Sequence, residues 1–144
     1  MNKVLCLIFF CLGFSSLSAL ETKIIYVIEN EIITNIDIKN EFKYLVALNS
    51  KLNQLDKEKI FIISKESIIK EKIKKIEISK TFTDLNINEN YMDALLKKIY
   101  ISLNLESLEE FNLYLKTYDL SIEQVKKKIT IDALWNELII KKYK

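Results

Sequence analysis

Histidine, arginine and proline are missing from this 144-residue chain, which has one glycine and two cysteines. Without histidine there is no Ser-His-Asp or Cys-His catalytic arrangement and no histidine metal site. With Gly13 as the only glycine there is no glycine-rich loop to cradle a phosphate. Without arginine, and with positive and negative charges nearly balanced, the surface offers no basic stripe for nucleic acid. An all-β or phosphate-binding α/β fold normally needs glycine at positive-φ turns. The composition therefore points to a mainly α protein, its helices joined by turns built from Asn, Asp and Ser, since Asn tolerates the left-handed conformation best after glycine. Carboxylate pairs do occur, at Glu29/Glu31 and Glu109/Glu110. The first flanks a turn. The second sits in the first turn of a helix, where the helix dipole alone favours acids. The expectation is a chain with no catalytic residue, no metal site and no cofactor.

The first nineteen residues stand apart. Met1-Asn2-Lys3 gives a short positive start, Val4 to Phe14 is an apolar run broken only by Gly13, and Ser15-Ser16-Leu17-Ser18-Ala19 supplies small residues. This is the layout of a secretory signal peptide cleaved near Ala19. The apolar run falls short of the roughly twenty residues that span a bilayer. Cys6 and Cys11 lie inside it, neither preceded by the small residue of a lipoprotein cleavage site. Residues 20–144 then form one domain without Gly, Pro or Cys, so no disulfide braces it and packing alone must hold it. Removing Lys3 from the 22 lysines leaves 21 against 20 acidic residues, a net of +1.

Within that domain, Ile24 to Ile28 and Ile32 to Ile33 read as a β-hairpin turning at Glu29-Asn30-Glu31, with Asn30 at the left-handed position. Five helices follow. Thr34 and Asp37 form a capping-box variant opening the first, with Ile38, Phe42, Leu45 and Leu48 at helical spacing before a polar turn at Asn49-Ser50. Asp56 caps a second helix to about Lys80, with a stripe of Ile62, Ile69, Ile73 and Ile76. Its Lys57, Glu58, Lys65, Glu66, Lys70, Glu71, Lys74 and Lys75 read as a solvated face. Asn88 opens a third helix bearing Met92, Leu95, Leu96, Ile99 and Tyr100, closed by Asn104. Ser107 with Glu110 boxes the start of a short fourth helix of Leu108, Phe111, Leu115 and Tyr118. Ser121 caps a fifth, with Ile122, Val125, Ile129, Ala133 and Ile140 on one face. Its last half, Ala133 to Ile140, is apolar on more than one side and calls for burial by a partner or a further segment.

The order of these motifs resembles the N-terminal domain of SurA-type periplasmic chaperones. Val27 to Ile38 is similar to that family's strand, turn, two aliphatics, Ser/Thr and acid three positions on. Leu85 to Met92 resembles its third-helix start, Leu105 to Phe111 its aliphatic-x-Ser/Thr-Leu segment, and Tyr118 to Ile129 its turn into the long last helix. The resemblance spans essentially all of residues 20–144. It implies a trigger-factor-like helical chaperone domain in the periplasm, with unfolded outer-membrane or periplasmic proteins as partners. Two family glycines are replaced, one by Thr83-Asp84 and one by Asp119, so those turns must use another device. Family members usually continue into parvulin-type prolyl isomerase domains and a returning C-terminal segment that packs on the chaperone domain. The alternative reading is thus the N-terminal part of a peptidyl-prolyl cis-trans isomerase whose catalytic domain is not in this chain. For client contact the candidates are Phe111, Tyr114 and Tyr118, at i, i+3 and i+7, with Trp135 on the last helix. Such a stripe is core in most helices; as a groove, its rings would supply contact area without sequence demands.

Overall fold

The computed structural model describes residues 21–143. The apolar leader, Cys6, Cys11, Gly13 and the cleavage position near Ala19 lie outside the described residues. The fold is mainly α, with a two-stranded antiparallel hairpin at its start and five helices after it. β1 is Ile24–Ile28 and β2 is Glu31–Thr34. The helices are α1 (Asn35–Leu48), α2 (Lys57–Thr81), α3 (Glu89–Ser102), α4 (Leu108–Lys116) and α5 (Ile122–Tyr143). A 3₁₀ turn, Ser50–Gln54, fills the α1–α2 connection where a plain polar turn was expected.

The capping signals act as read, with two exceptions. Thr34 accepts from the Asp37 N–H, while the Asp37 carboxylate accepts from the Thr34 N–H at 2.8 Å, a closed capping box. Asn88 accepts from the backbones of Asn90 and Tyr91. Ser121 and Gln124 close a second box at the head of α5. Ser107 accepts from the Glu110 N–H, but the Glu110 carboxylate takes the Glu106 N–H, so that box stays half formed. Asp56 precedes α2 without capping it through its side chain, which faces Lys59 instead.

Helix ends show how the chain turns without glycine. Leu120 donates to the Leu115 carbonyl and Asp119 to that of Lys116, across a left-handed Asp119 at φ 54°. Leu105 and Asn104 repeat the pattern on Tyr100 and Ile101, with Asn104 at φ 60°. Both are Schellman closures, and at the end of α4 the expected apolar contact across the turn is made by Leu120, buried beside Leu115. Asp119 thus takes the left-handed conformation that glycine usually supplies at a helix end. The α2–α3 connection uses no positive φ; Asp84 accepts from the Asn86 N–H in an Asx turn. In the hairpin the left-handed residue is Glu29 at φ 49°, not Asn30. The pairing Ile28↔Glu31 leaves a two-residue loop, and both favoured two-residue turns require positive φ at the first position.

Three apolar clusters hold the elements. Ile33, Ile38 and Ile68 seat the hairpin on α1 and α2. Ala47, Leu96, Phe111, Leu115, Val125 and Ile129 join α1, α3, α4 and α5. Ile78, Leu134 and Leu138 join the ends of α2 and α5. Two expected faces are therefore displaced. On α2 the buried line is Ile60, Ser64, Ile68 and Ile78, while Ile62 and Ile73 are exposed. The small Ser64, its Oγ returned to the Ile60 carbonyl at 2.7 Å, sits fully buried in that line. On α5 the inward residues are Val125, Ile129, Leu134 and Leu138; Ile140 is exposed and Ala133 half-buried. The last half of α5 is accordingly buried on one side by Ile78 and open on the other at Ile139, Ile140 and Tyr143.

Left-handed backbone costs an ordinary L-residue about 1 kcal/mol or more, and Asn or Asp somewhat less. Asn104→Gly is expected to raise unfolding free energy by about 0.5 kcal/mol and Asn104→Ala to lower it by a similar amount. Urea denaturation followed by circular dichroism measures both, and the opposite ranking would refute the assignment.

Candidate functional site

The four aromatic candidates do not form one surface. Phe111 has no exposed surface; it fills the cluster of Leu96, Leu115 and Val125, its ring 6.4 Å from that of Tyr100. Tyr114 and Tyr118 are half-buried beside it, ring centres 5.2 Å apart. The Tyr114 hydroxyl donates to the Ala47 carbonyl at 2.7 Å. Ala47 lies in the last turn of α1, whose carbonyls lack helical partners, so Tyr114 closes the end of that helix from a distant element. Trp135 packs in a different cluster, half-buried near Ile78 and Leu138. In this arrangement the rings serve packing and capping, and Phe111 presents nothing to a client.

The concave surface lies elsewhere, between α2, the loop before α3, and α5. It is an open cleft of about 650 Å³. Ile78, Ile87, Met92, Ile131 and Leu134 make its apolar floor, and Lys72, Lys75, Lys126 and Lys127 stand on its rim. A volume in this range is typical of binding sites, and here charged and polar side chains share the lining with the apolar floor. Lys72 and Lys75 both hold Glu31 of β2, at 2.8 and 2.6 Å. Their ammonium groups keep the Glu31 carboxyl below its ordinary value, chiefly through these hydrogen bonds. Lys126 and Lys127 have no acidic partner among the described residues. A cleft with an apolar floor and a lysine-bearing rim can take varied side chains, with little demand on their sequence.

One wall of the cleft is fixed by an ion cluster, of which the sequence reading placed Glu71 on a solvated face. Glu41 of α1 is 3% exposed. Its carboxylate accepts from Ser67 Oγ of α2 at 2.7 Å and from Lys128 Nζ of α5. Lys128 also binds Glu71 of α2, itself part of the cleft lining, and lies 4.8 Å over the Tyr44 ring. Burial alone would lower the Lys128 pKa, but the two carboxylates outweigh it and hold it above the ordinary lysine value. Tyr44 is pushed well up, first by burial and then by Asp132, Glu41 and Glu71. Outside the cluster, Lys74 reaches Asp132 at 2.6 Å, a second tie between α2 and α5. Sequence spacing carried a trace of this cluster. Glu41 stands three residues after Ile38 and four before Leu45, and Lys128 three after Val125, each on an apolar line.

No helix among the described residues is long and apolar enough to cross a membrane, and none of their His, Cys, Asp or Glu residues gather in threes as a metal site would need.

Breaking a buried ion cluster by removing one member typically costs about 3–5 kcal/mol, because the remaining charge is left unpaired. Lys128→Met is expected to destabilise by that amount, and the apolar triple variant Glu41→Leu, Glu71→Leu, Lys128→Met by much less. Alkaline pH supplies an independent check. Burial first, then the hydrogen bond to Tyr118, pushes the Tyr114 hydroxyl up to about 12. A raised folded-state value gives stability that is complete below the unfolded tyrosine value of about 10 and is lost as pH rises above it. Denaturation midpoints should hold to about pH 9 and fall from about pH 10, with a shallower fall in Tyr114→Phe. An unchanged slope in that variant would refute the contribution of Tyr114.

No protein-family model, curated protein or solved structure matches this chain.

Proposed function

We propose that this is an exported, ATP-independent chaperone domain of the SurA type that holds unfolded, outer-membrane-bound proteins in the periplasm. The observation that carries the reading is the α2–α3–α5 cleft, with its apolar floor and lysine rim. It is open enough for an extended chain, and its floor offers dispersion and burial without hydrogen-bonding groups that would select one sequence. Further apolar surface is exposed beyond it, at Phe61, Ile62, Ile101, Leu113 and Ile140. A domain that retains this much exposed aliphatic surface is suited to transient contact with unfolded chains. Binding of this kind acts by mass action on the unfolded state and needs no nucleotide. The motif order from Val27 to Ile129 supports the same reading and supplies the client class.

The domain described here does its work by binding, so the test is a binding one. Purified Leu20–Lys144 is expected to suppress aggregation of a urea-unfolded outer-membrane β-barrel protein on dilution, without ATP. Placing a charge on the cleft floor with Ile131→Glu should raise the concentration needed by about tenfold, equivalent to roughly 1.4 kcal/mol of lost apolar contact. Asn53→Glu, in the exposed 3₁₀ turn between α1 and α2 and outside the cleft lining, serves as the control and should behave as the parent. Light scattering reads all three. No suppression at several-fold molar excess would remove the proposal, and equal loss in both variants would remove the cleft from it.

A further inference from the structure

The hairpin presents an edge that the other described residues leave uncovered. β2 lies against α1 and α2, with Ile33 fully buried, and β1 is paired only on its β2 side. Ile24, Ile25, Tyr26 and Val27 are 61%, 40%, 37% and 64% exposed, so both faces of the strand meet solvent. In a two-stranded ladder, alternate N–H and C=O groups of the outer strand point away without partners. Natural edges are usually protected by charge, proline or a bulge. β1 has no charged residue and no proline. Its one protection is a bulge between Ile24 and Tyr26, which leaves the ladder regular from Tyr26 to Ile28.

The sequence of this edge is complementary to itself. Laid antiparallel on a second copy about Tyr26, Ile24 faces Ile28, Ile25 faces Val27, and Tyr26 faces Tyr26. The flanking residues then match in charge, since Lys23 falls opposite Glu29 at both ends. Moving the register by one pair destroys the match. Centred on Val27 it sets Ile25 against Glu29, and centred on Ile25 it sets Lys23 against Val27. Lys23 and Glu29 are both largely exposed, and their present partners, Glu21 at 3.3 Å and Lys80 at 3.5 Å, are loose surface pairs. Such pairs contribute little where they are and can be exchanged.

We propose that two copies of this chain associate through β1, paired antiparallel about Tyr26 with Lys23 opposite Glu29, to give a continuous four-stranded sheet. The contact is isologous, with one patch meeting its own copy across a two-fold axis. A five-residue edge buries less than the roughly 1,000 Å² expected of a stable interface, so the dimer is weak and concentration-dependent. Its consequence is two clefts on one particle. A client segment held in one raises the effective concentration of the same chain at the other.

Sedimentation of the protein purified after expression of the complete chain tests this. The weight-average mass is expected to rise from monomer toward dimer with concentration. Lys23→Glu and Glu29→Lys should each weaken association roughly threefold or more, as two symmetry-related exposed pairs allow, and the double swap should restore it. With Cys6 and Cys11 changed to Ser, Tyr26→Cys should oxidise to a covalent dimer faster than Leu113→Cys on exposed α4. A monomer at every concentration, no rescue in the double swap, or equal cross-linking at both cysteines overturns the proposal. So does an apolar strand peptide that occupies Tyr26→Cys in place of a second copy. None of these outcomes depends on client binding.

Discussion

One lysine between two carboxylates decides how this molecule is put together. Lys128 is the only cation bound to Glu41 and Glu71 among the described residues, and those three residues come from α5, α1 and α2. Glu41 is almost wholly out of water, and an ionised carboxylate there is tolerated only with partners. Ser67 and Lys128 provide them, and the Tyr44 ring covers the ammonium group. A cluster of this kind adds little net stability compared with a well-packed apolar substitute. Its effect is on alignment. Sliding α5 along α2 by one turn would strip Lys128 from Glu71 and Asp132 from Lys74 together. The contacts advance in step along both helices, from Glu71–Lys128 through Lys74–Asp132 to Ile78–Leu134, so the two helices run in the same sense. The cleft lies along this pair of helices, with Leu85, Asn86 and Ile87 of the α2–α3 loop completing its lining.

The near-absence of glycine sets the second constraint. Three left-handed positions are needed, and Glu29, Asn104 and Asp119 fill them. Each costs backbone energy that glycine would not, yet each closing bond is made: Leu105 to Tyr100 and Leu120 to Leu115 satisfy carbonyls at the ends of α3 and α4. Tyr114 satisfies another at the end of α1 by reaching across from α4. The ends of α3 and α4 are thus closed by backbone bonds across left-handed residues and the end of α1 by a side chain, and this couples the loops to the core.

Much of the fold was legible because capping is local chemistry. Thr34 with Asp37, Asn88, Ser107 and Ser121 announced helix starts through hydrogen bonds spanning at most four residues. The inward faces were harder. α2 carries isoleucine on several sides, so Ile62-Ile69-Ile73-Ile76 and Ile60-Ile68-Ile78 are equally plausible lines, and only the position of α1 and α5 selects the second. Eight of its charged residues were read as a solvated face, whereas three of those, Glu71, Lys74 and Lys75, bind other elements, as does Lys72. Sequence spacing gives the angle of a side chain about its own helix axis and nothing about which neighbour lies there. The same limit applies to the site. Phe111, Tyr114 and Tyr118 shared a face as read, but that face is turned inward, and the cleft is assembled from α2, a loop and α5, which no local pattern relates.

The two open surfaces that remain differ in what they can recognise. In the proposed function the cleft would meet a partner's side chains, its floor discriminating mainly between apolar and polar ones. The β1 edge meets a partner's backbone, and main-chain hydrogen bonding is indifferent to sequence except through the residues that flank it. Indifference would leave the edge open to any extended chain, which is the aggregation hazard of unprotected strands. Lys23 and Glu29 remove part of that indifference, because a strand lacking opposite charges immediately beyond its own ends leaves them unmatched. The edge therefore has a preferred partner written into its flanks, while the cleft does not, and the two surfaces can be occupied at once without competing for the same chemistry.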